Sequence, residues 1–222
     1  ETLLLGLRLG TKPMVSAADI TIDGAHGTTM RAYLAEPGDP QDSGPYPAVL
    51  VLHELFGLND DMLRIANRFA EAGYIALLPE FFGEGPRVFC VLRALNAIKR
   101  SGGRPFEQIQ AAKNWLDTHD KTASGRIGVA GFCIGGSFAV LYAAKAPLKV
   151  VAACYGEVPE ERSVLADSPP IFAGFGKRDR VFGPGAVRLK RHAQQLGVAH
   201  NICEYADAGH SYMSQHHGVV AT

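Results

Sequence analysis

The stretch Gly131-Phe-Cys-Ile-Gly-Gly136 combines a nucleophile with the small residues that would expose it. It follows an apolar run, Arg126-Ile-Gly-Val-Ala130, and leads into the small-residue helical pattern Ser137-Phe-Ala-Val-Leu-Tyr-Ala-Ala144. Strand, tight turn and helix in that order are what a nucleophile elbow requires, with Cys133 standing where serine is usual. Gly131 and Gly135, one on each side of Cys133, allow a strained turn and a close approach of strand to helix. The helix N-terminus beneath Cys133 carries partial positive charge and free N–H groups, which favour a thiolate over a thiol. The competing reading is an inert core cysteine, the commoner fate of a lone Cys among apolar residues. A nucleotide-binding turn is disfavoured, because the segment holds neither G-x-G-x-x-G nor a P-loop lysine.

A nucleophile of this kind needs a base, and the base needs an orienting acid. Asp179, in Gly176-Lys-Arg-Asp179, follows the apolar run Ile171-Phe-Ala-Gly-Phe175, and His210 lies in Ala208-Gly-His-Ser211 after the last strand pattern. The chain order is nucleophile, acid, histidine, the order found in α/β-hydrolases. His210 could take the thiol proton and return it to a leaving group, while Asp179 fixes its tautomer and orientation. Taken singly, Asp179 reads as a turn aspartate and His210 as a surface histidine. In the expected order at strand ends they read as a triad. Backbone donors for an oxyanion would be the N–H groups of Ile134, next after the nucleophile, and Leu55, in the first loop past the strand at Ala48.

The elements that must position these residues alternate along the chain. Asp19–Asp23 and Met30–Glu36 flank Gly24–Gly27 and predict an antiparallel hairpin. Ala48–Leu52 is a continuous β-prone run suited to a buried parallel strand. Asn59 or Asp60 could cap a helix with Leu63, Ala66, Phe69 and Ala70 on its apolar face, and Gly73 ends it. Further strands are predicted at Tyr74–Leu78, Lys149–Cys154, Ile171–Phe175 and Ile202–Tyr205. Helices are predicted at Arg87–Lys99, Phe106–Leu116 and Ala186–Leu196, with Ile109, Ala112 and Leu116 on an inner face and Trp115 in the core. The fold class is therefore α/β, a doubly wound, mostly parallel sheet preceded by the hairpin. His53, Glu54, Glu80, Cys133, Tyr155, Asp179 and His210 all fall at or just past strand ends, where ligands bind in such sheets.

Composition narrows the class further. Twenty-two basic and 22 acidic residues balance, which removes nucleic acid or an anionic membrane as a partner. No apolar run approaches the length of a bilayer span. Cys90, Cys133, Cys154 and Cys203 are widely separated and form no C-x-x-C pair, which suits a reducing, cytoplasmic setting rather than a disulfide framework. Leu3-Leu4-Leu5 is too short for a signal segment. Met14 reads as the natural start, so residues 1–14 are set aside as an upstream segment and residues 15–222 as one domain. His210, His216 and His217 invite a metal reading, but no carboxylate or cysteine is spaced with them as a ligand set, and no cofactor is expected.

With these residues in view, the chain resembles the dienelactone hydrolase (carboxymethylenebutenolidase) family of the α/β-hydrolase superfamily. The likeness rests on His53-Glu-Leu-Phe-Gly-Leu-Asn59, Gly131-Phe-Cys-Ile-Gly-Gly136, Tyr155-Gly156, Asp179 and Ala208-Gly-His-Ser211. It implies a Cys133–His210–Asp179 triad acting through an acyl-enzyme on a small lactone or ester. Glu54 would meet the resting thiol and help deprotonate it, since a buried carboxylate has a raised pKa nearer that of a thiol. Read without the resemblance, Glu54 is a buried structural acid. The family holds its substrate carboxylate with two arginines, and this chain departs at both places, reading Glu80-Phe-Phe-Gly-Glu84 and Met213-Ser214. Arg87, Arg93, Arg178 or Arg180 could substitute from nearby loops, with Tyr155, Phe82 and Arg87 taken as the substrate-binding set and Phe56, Phe81 and Tyr212 as further aromatic neighbours. The alternatives are a general carboxylesterase or thioesterase on the same scaffold, or a non-catalytic binding protein that keeps the fold. Either way the partner is a small-molecule ester or lactone, and the protein is a monomer or homodimer.

Overall fold

The computed structural model describes residues 14–38, 43–81, 87–182 and 184–215, with only the backbone described for Arg87 and Val88. Residues 1–13, Phe82, and His216 and His217 lie outside these. The described strands form one eight-stranded sheet: β1 (Val15–Asp23), β2 (Thr29–Pro37), β3 (Tyr46–Leu52), β4 (Ile75–Pro79), β5 (Thr122–Phe132), β6 (Val151–Cys154), β7 (Ile171–Gly176) and β8 (His200–Tyr205). The helices are α1 (Asp60–Glu71), α2 (Arg87–Arg100), α3 (Arg104–Thr118), α4 (Ile134–Ala143) and α5 (Gly185–Leu196).

The spatial order is β1-β2-β4-β3-β5-β6-β7-β8. The predicted hairpin is present and longer than its sequence signal, with Val15 opposite Pro37 and Asp23 opposite Thr29. β2 also runs antiparallel to β4, and every later pairing is parallel. After β3 the chain moves outward to β4, then crosses back to place β5 on the other side of β3. The loops leaving β3 and β5 therefore diverge, and a crevice opens between them at the carboxyl ends of the strands.

Strand periodicity sorts the core into two layers. Leu50 and Leu52 of β3 face α2 to α5, packing with Phe106, Ile109, Leu116, Phe138, Leu141 and Leu189. Val49 and Val51 face the opposite side, toward Met62, Ile65, Ala66 and Ala70 of α1. Burial on both sides is why β3 reads as an unbroken apolar run. Each fully buried leucine contributes about 2 kcal/mol of transfer free energy.

Asn59 caps α1, its Oδ1 accepting the Met62 N–H at 3.0 Å. The buried face of α1 differs from the sequence expectation. Met62 and Ile65 fill its centre, while Leu63 and Phe69 sit half-buried at its margins, because the helix is rolled so that Asp61 also points inward. Trp115 is likewise half-buried rather than central. It lies one position off the Ile109–Ala112–Leu116 stripe and stacks on His119, ring centroids 4.6 Å apart. No helix among the described residues is long and apolar enough to cross a membrane.

Candidate active site

β5 ends at Phe132 and α4 begins at Ile134, leaving Cys133 alone at the corner with φ 52° and ψ −122°. A non-glycine residue in this left-handed region costs about 1–3 kcal/mol, so the surroundings must enforce it. They do so by backbone contact. A Cβ on Gly131 would fall on the Gly135 carbonyl, and one on Gly135 would fall on the Leu52 carbonyl. The elbow, α4 and the end of β3 are therefore packed main chain to main chain. The Cys133 N–H donates to the Cys154 carbonyl at 3.1 Å, tying the corner to β6.

The thiol meets a relay of hydrogen bonds. His210 Nε2 lies 3.0 Å from Cys133 Sγ, and His210 Nδ1 lies 2.8 Å from Asp179 Oδ2. Asp179 Oδ1 accepts the N–H groups of Val181 at 2.7 Å and Phe182 at 3.3 Å, which locks the carboxylate. An ionised carboxylate only accepts, so Nδ1 carries the ring proton and Nε2 is left to accept from the thiol. The edges of Tyr155 and Phe182 pack against the imidazole, with centroids at 5.3 and 5.2 Å. Asp179 and His210 are both buried.

Two backbone N–H groups, of Ile134 and Leu55, hydrogen-bond the Cys133 sulfur. They converge from different loops on the same atom, a geometry able to hold an oxygen that gains negative charge. Burial nevertheless pushes the thiol up to about 12, and the charge of Glu54 adds to that push, against the lowering effect of the Ile134 N–H. The pull of the helix N-terminus expected from the sequence is thus present but outweighed by burial.

Glu54 leaves β3 beside the relay and is buried. Burial raises its carboxyl above the usual range, opposed by hydrogen bonds from Tyr155 and Ser211. The Tyr155 hydroxyl donates to Glu54 Oε1 at 3.1 Å. The hydrogen-bond partners of Glu54 are therefore Tyr155 and Ser211, whereas the partner of the thiol is His210. Tyr155 follows β6 with φ 42° and is fully buried. Its turn is held against α4 by the Glu157 N–H, which donates to Ser137 Oγ at 2.8 Å.

Other candidates separate from this cluster. His53 turns into the α2–α4 layer, its Nδ1 2.6 Å from the Glu54 carbonyl and its ring 4.5 Å from that of Phe81. Burial lowers its pKa to about 4, so it is neutral near pH 7. Phe81 packs on Phe138 in the core, and Phe56 is exposed. Arg178 is exposed and pairs with Asp207 at 2.7 Å, and Arg93 and Arg180 are exposed. The Arg87 side chain lies outside the described residues, as does Phe82. Among the described residues, no group of three or more His, Cys, Asp and Glu could hold a metal ion.

Three contributors have little local signal. Ser211 and Phe182 touch the relay only through the fold. Asp61 falls in an ordinary helix first turn, and only its spacing from Ile65, one turn on, hints that it faces inward.

Comparison with known proteins places these features in context. The dienelactone hydrolase family model matches residues 30–221. A Yersinia pestis protein provisionally named carboxymethylenebutenolidase is 29% identical over 205 residues, covering 85% of this chain and 76% of the relative. A Bradyrhizobium protein provisionally named 2-oxo-3-(5-oxofuran-2-ylidene)propanoate lactonase is 26% identical over 204 residues, covering 85% of this chain and 81% of the relative. The crystal structure of a provisionally named dienelactone hydrolase from Klebsiella pneumoniae superimposes with TM-score 0.78 at 23% identity, covering 90% of this chain and 88% of that one.

Proposed function

The chain belongs to the dienelactone hydrolase family, a family of hydrolases acting on esters and lactones, and from that premise we propose that Cys133 is its nucleophile. The observation that carries this reading is the Asp179–His210–Cys133 relay, whose sulfur is also faced by the Leu55 and Ile134 N–H groups. The substrate is a small ester or lactone, and the Bradyrhizobium lactonase relative supports that class.

The reaction follows from the distances. As a substrate carbonyl approaches, the thiol proton moves to His210 Nε2 and the sulfur forms a bond to the carbonyl carbon. The imidazolium so formed is stabilised by Asp179 through Nδ1. The carbonyl oxygen becomes an oxyanion held by the Leu55 and Ile134 N–H groups. Collapse of this tetrahedral species breaks the carbon–oxygen ester bond, and the leaving alkoxide or enolate takes the proton from His210. Water then attacks the thioester, giving its proton to His210 and later returning it to the departing sulfur. One water is consumed; an ester yields an acid and an alcohol, and a lactone yields one molecule carrying both the acid and the hydroxyl or its keto tautomer.

Glu54 tunes the thiol rather than attacking. Glu54 does not meet the resting thiol as the resemblance implied, but bonds Tyr155 and Ser211, and its charge would disfavour a free thiolate and so limit its side reactions. Phe82 and Arg87 are proposed as substrate-binding residues, whereas Tyr155, fully buried with its hydroxyl on Glu54, supports the site from behind. The four free cysteines support a reducing, cytoplasmic setting for a monomer or homodimer.

A general carboxylesterase is the second reading. It is favoured by Arg178, which turns outward to Asp207 instead of toward the relay. The deciding measurement compares a dienelactone with neutral 4-nitrophenyl acetate, for the parent protein and Cys133→Ala. Cys133-dependent lactone hydrolysis with the aryl ester a poor substrate supports a dienelactone hydrolase. Cys133-dependent hydrolysis of the aryl ester alone moves the function to general esterase. Activity that survives in Cys133→Ala overturns the mechanism.

A further inference from the structure

The base His210 stands on a loop without regular structure, from Ala206 after β8 to Gln215. Before His210 the loop is tied to the end of β7, where the Arg178 N–H donates to the Ala208 carbonyl at 3.0 Å and a Cβ on Gly176 would strike the Ala208 and Gly209 carbonyls; past His210 other ties are needed. α1 contributes no member of the relay, yet its first turn reaches this loop with two side chains. Asp61 Oδ2 accepts the Ser214 hydroxyl at 2.5 Å, and Asp61 Oδ1 accepts the Gln215 N–H at 2.9 Å. Arg64 Nη2 donates to the Met213 carbonyl at 2.7 Å and to Asp61 Oδ1 at 3.0 Å. Three consecutive loop residues are thus fastened to one helix. The Asp61 side chain is only 3% exposed, so these bonds are shielded from water and charge-assisted.

The fastening is transmitted to His210 by a tight turn. The Ser214 N–H donates to the Ser211 carbonyl at 2.9 Å, and Ser211 itself holds φ 55° and hydrogen-bonds Glu54. A displacement at Ser214 therefore moves Ser211, and with it the adjoining His210.

Resting on the reading of His210 as the general base, we infer that Asp61 and Arg64 form a clasp that positions His210 against Cys133. They are positioning residues, acting through Met213, Ser214 and Gln215. α1 does not need Asp61 for its own seat, since Met62, Ile65, Ala66 and Ala70 bury it against the sheet and Asn59 caps it. The charge of Asp61 also raises the Glu54 carboxyl, so the same side chain bears on the acid beside the thiol as well as on the histidine loop.

The test compares Asp61→Ala, Asp61→Asn, Ser214→Ala and the Asp61→Ala/Ser214→Ala double variant with the parent protein. Ile65→Val, a packing change on the same helix, is the control for lost stability. In Asp61→Ala, kcat for 4-nitrophenyl acetate is expected to fall roughly 10- to 100-fold with KM changed less than about twofold, the scale of a base misplaced by about an ångström. Iodoacetamide alkylation of Cys133 at pH 7, which needs no substrate site, should slow in parallel. Asp61→Asn, which keeps an acceptor, should recover part of the loss. The double variant should be no worse than Asp61→Ala, because both changes open one clasp.

Parent-like turnover and alkylation in Asp61→Ala, or equal losses in Ile65→Val, would overturn the clasp while leaving the relay standing. Should Asp61→Ala not fold, Asp61→Asn and Ser214→Ala decide the matter by the same two rates. Undiminished activity in Cys133→Ala is a different failure, that of the relay itself.

Discussion

The two loops that bring Cys133 and His210 together differ in how far side chains hold them. At the elbow, Cys133 is fixed by main-chain sterics, with Gly131, Gly135 and the Leu52 carbonyl filling the space where any Cβ would go. On the histidine loop, Ala208 and Gly209 are also packed on Gly176, but the His210 ring and the residues after it are held by removable side-chain bonds, from Asp179 to the ring and from Asp61, Arg64 and Glu54 to its neighbours. The elbow should therefore tolerate side-chain changes around it but no added carbon within it. The histidine loop should lose function stepwise as its partners are cut away, while the protein stays folded.

The largest effect should come from the histidine side. Asp179→Asn leaves the volume intact but offers Nδ1 the wrong partner, and the tautomer needed at Nε2 is no longer held. Steady-state hydrolysis of 4-nitrophenyl acetate should fall on the order of a thousandfold, with thermal stability nearly unchanged. A comparable loss of stability would show that the loop is structural, and the contrast with the elbow would dissolve.

At the elbow the reverse outcome is expected. Gly135→Ala drives a methyl group into the Leu52 carbonyl, which is backbone and cannot swing away. Chemical denaturation should show a loss of about 3 kcal/mol or more, with activity falling because the protein unfolds. A stable Gly135→Ala protein with slowed turnover would mean that β3 can shift, and that the elbow is less rigid than its contacts imply.

A smaller, pH-dependent effect separates the two regions again. His53 is packed behind the elbow with its pKa lowered from 6.5 to about 4. The folded state then binds fewer protons than the unfolded state between these values. Stability is fully present above pH 6.5 and falls as the pH drops toward 4, by up to about 3 kcal/mol from this one group. His53→Gln should flatten that part of the stability curve. An unchanged slope in the variant would assign the acid sensitivity elsewhere.

Much of the fold was legible because its signals are local. The continuous run at Ala48–Leu52, the capped helix after Asn59 and the glycine-flanked Cys133 each announce themselves within a few residues. Asp179 and His210 were legible through their order along the chain and their place after strands, although neither is distinctive alone. Where the reading slipped, the cause was orientation. Leu63 and Phe69 are as apolar as Met62 and Ile65, and helical periodicity by itself does not decide which pair faces the sheet. In the fold Met62 and Ile65 take that place, on the same buried side as Asp61.

The amino-acid sequence by itself determined the element order, the elbow and the identity of the chemically able side chains, since glycine sterics and side-chain periodicity act over short spans. Tertiary structure alone decided the rest. It set the thiol at about 12 rather than near a thiolate, because desolvation depends on everything packed around the sulfur. It gave Glu54 to Tyr155 and Ser211, and turned His53 away from the relay. It joined Asp61 to Ser214 across the sheet's end, a contact between residues far apart in the chain. Hydrogen bonds of that kind leave no periodic trace, because either partner could be replaced by many residues until the fold brings the two together.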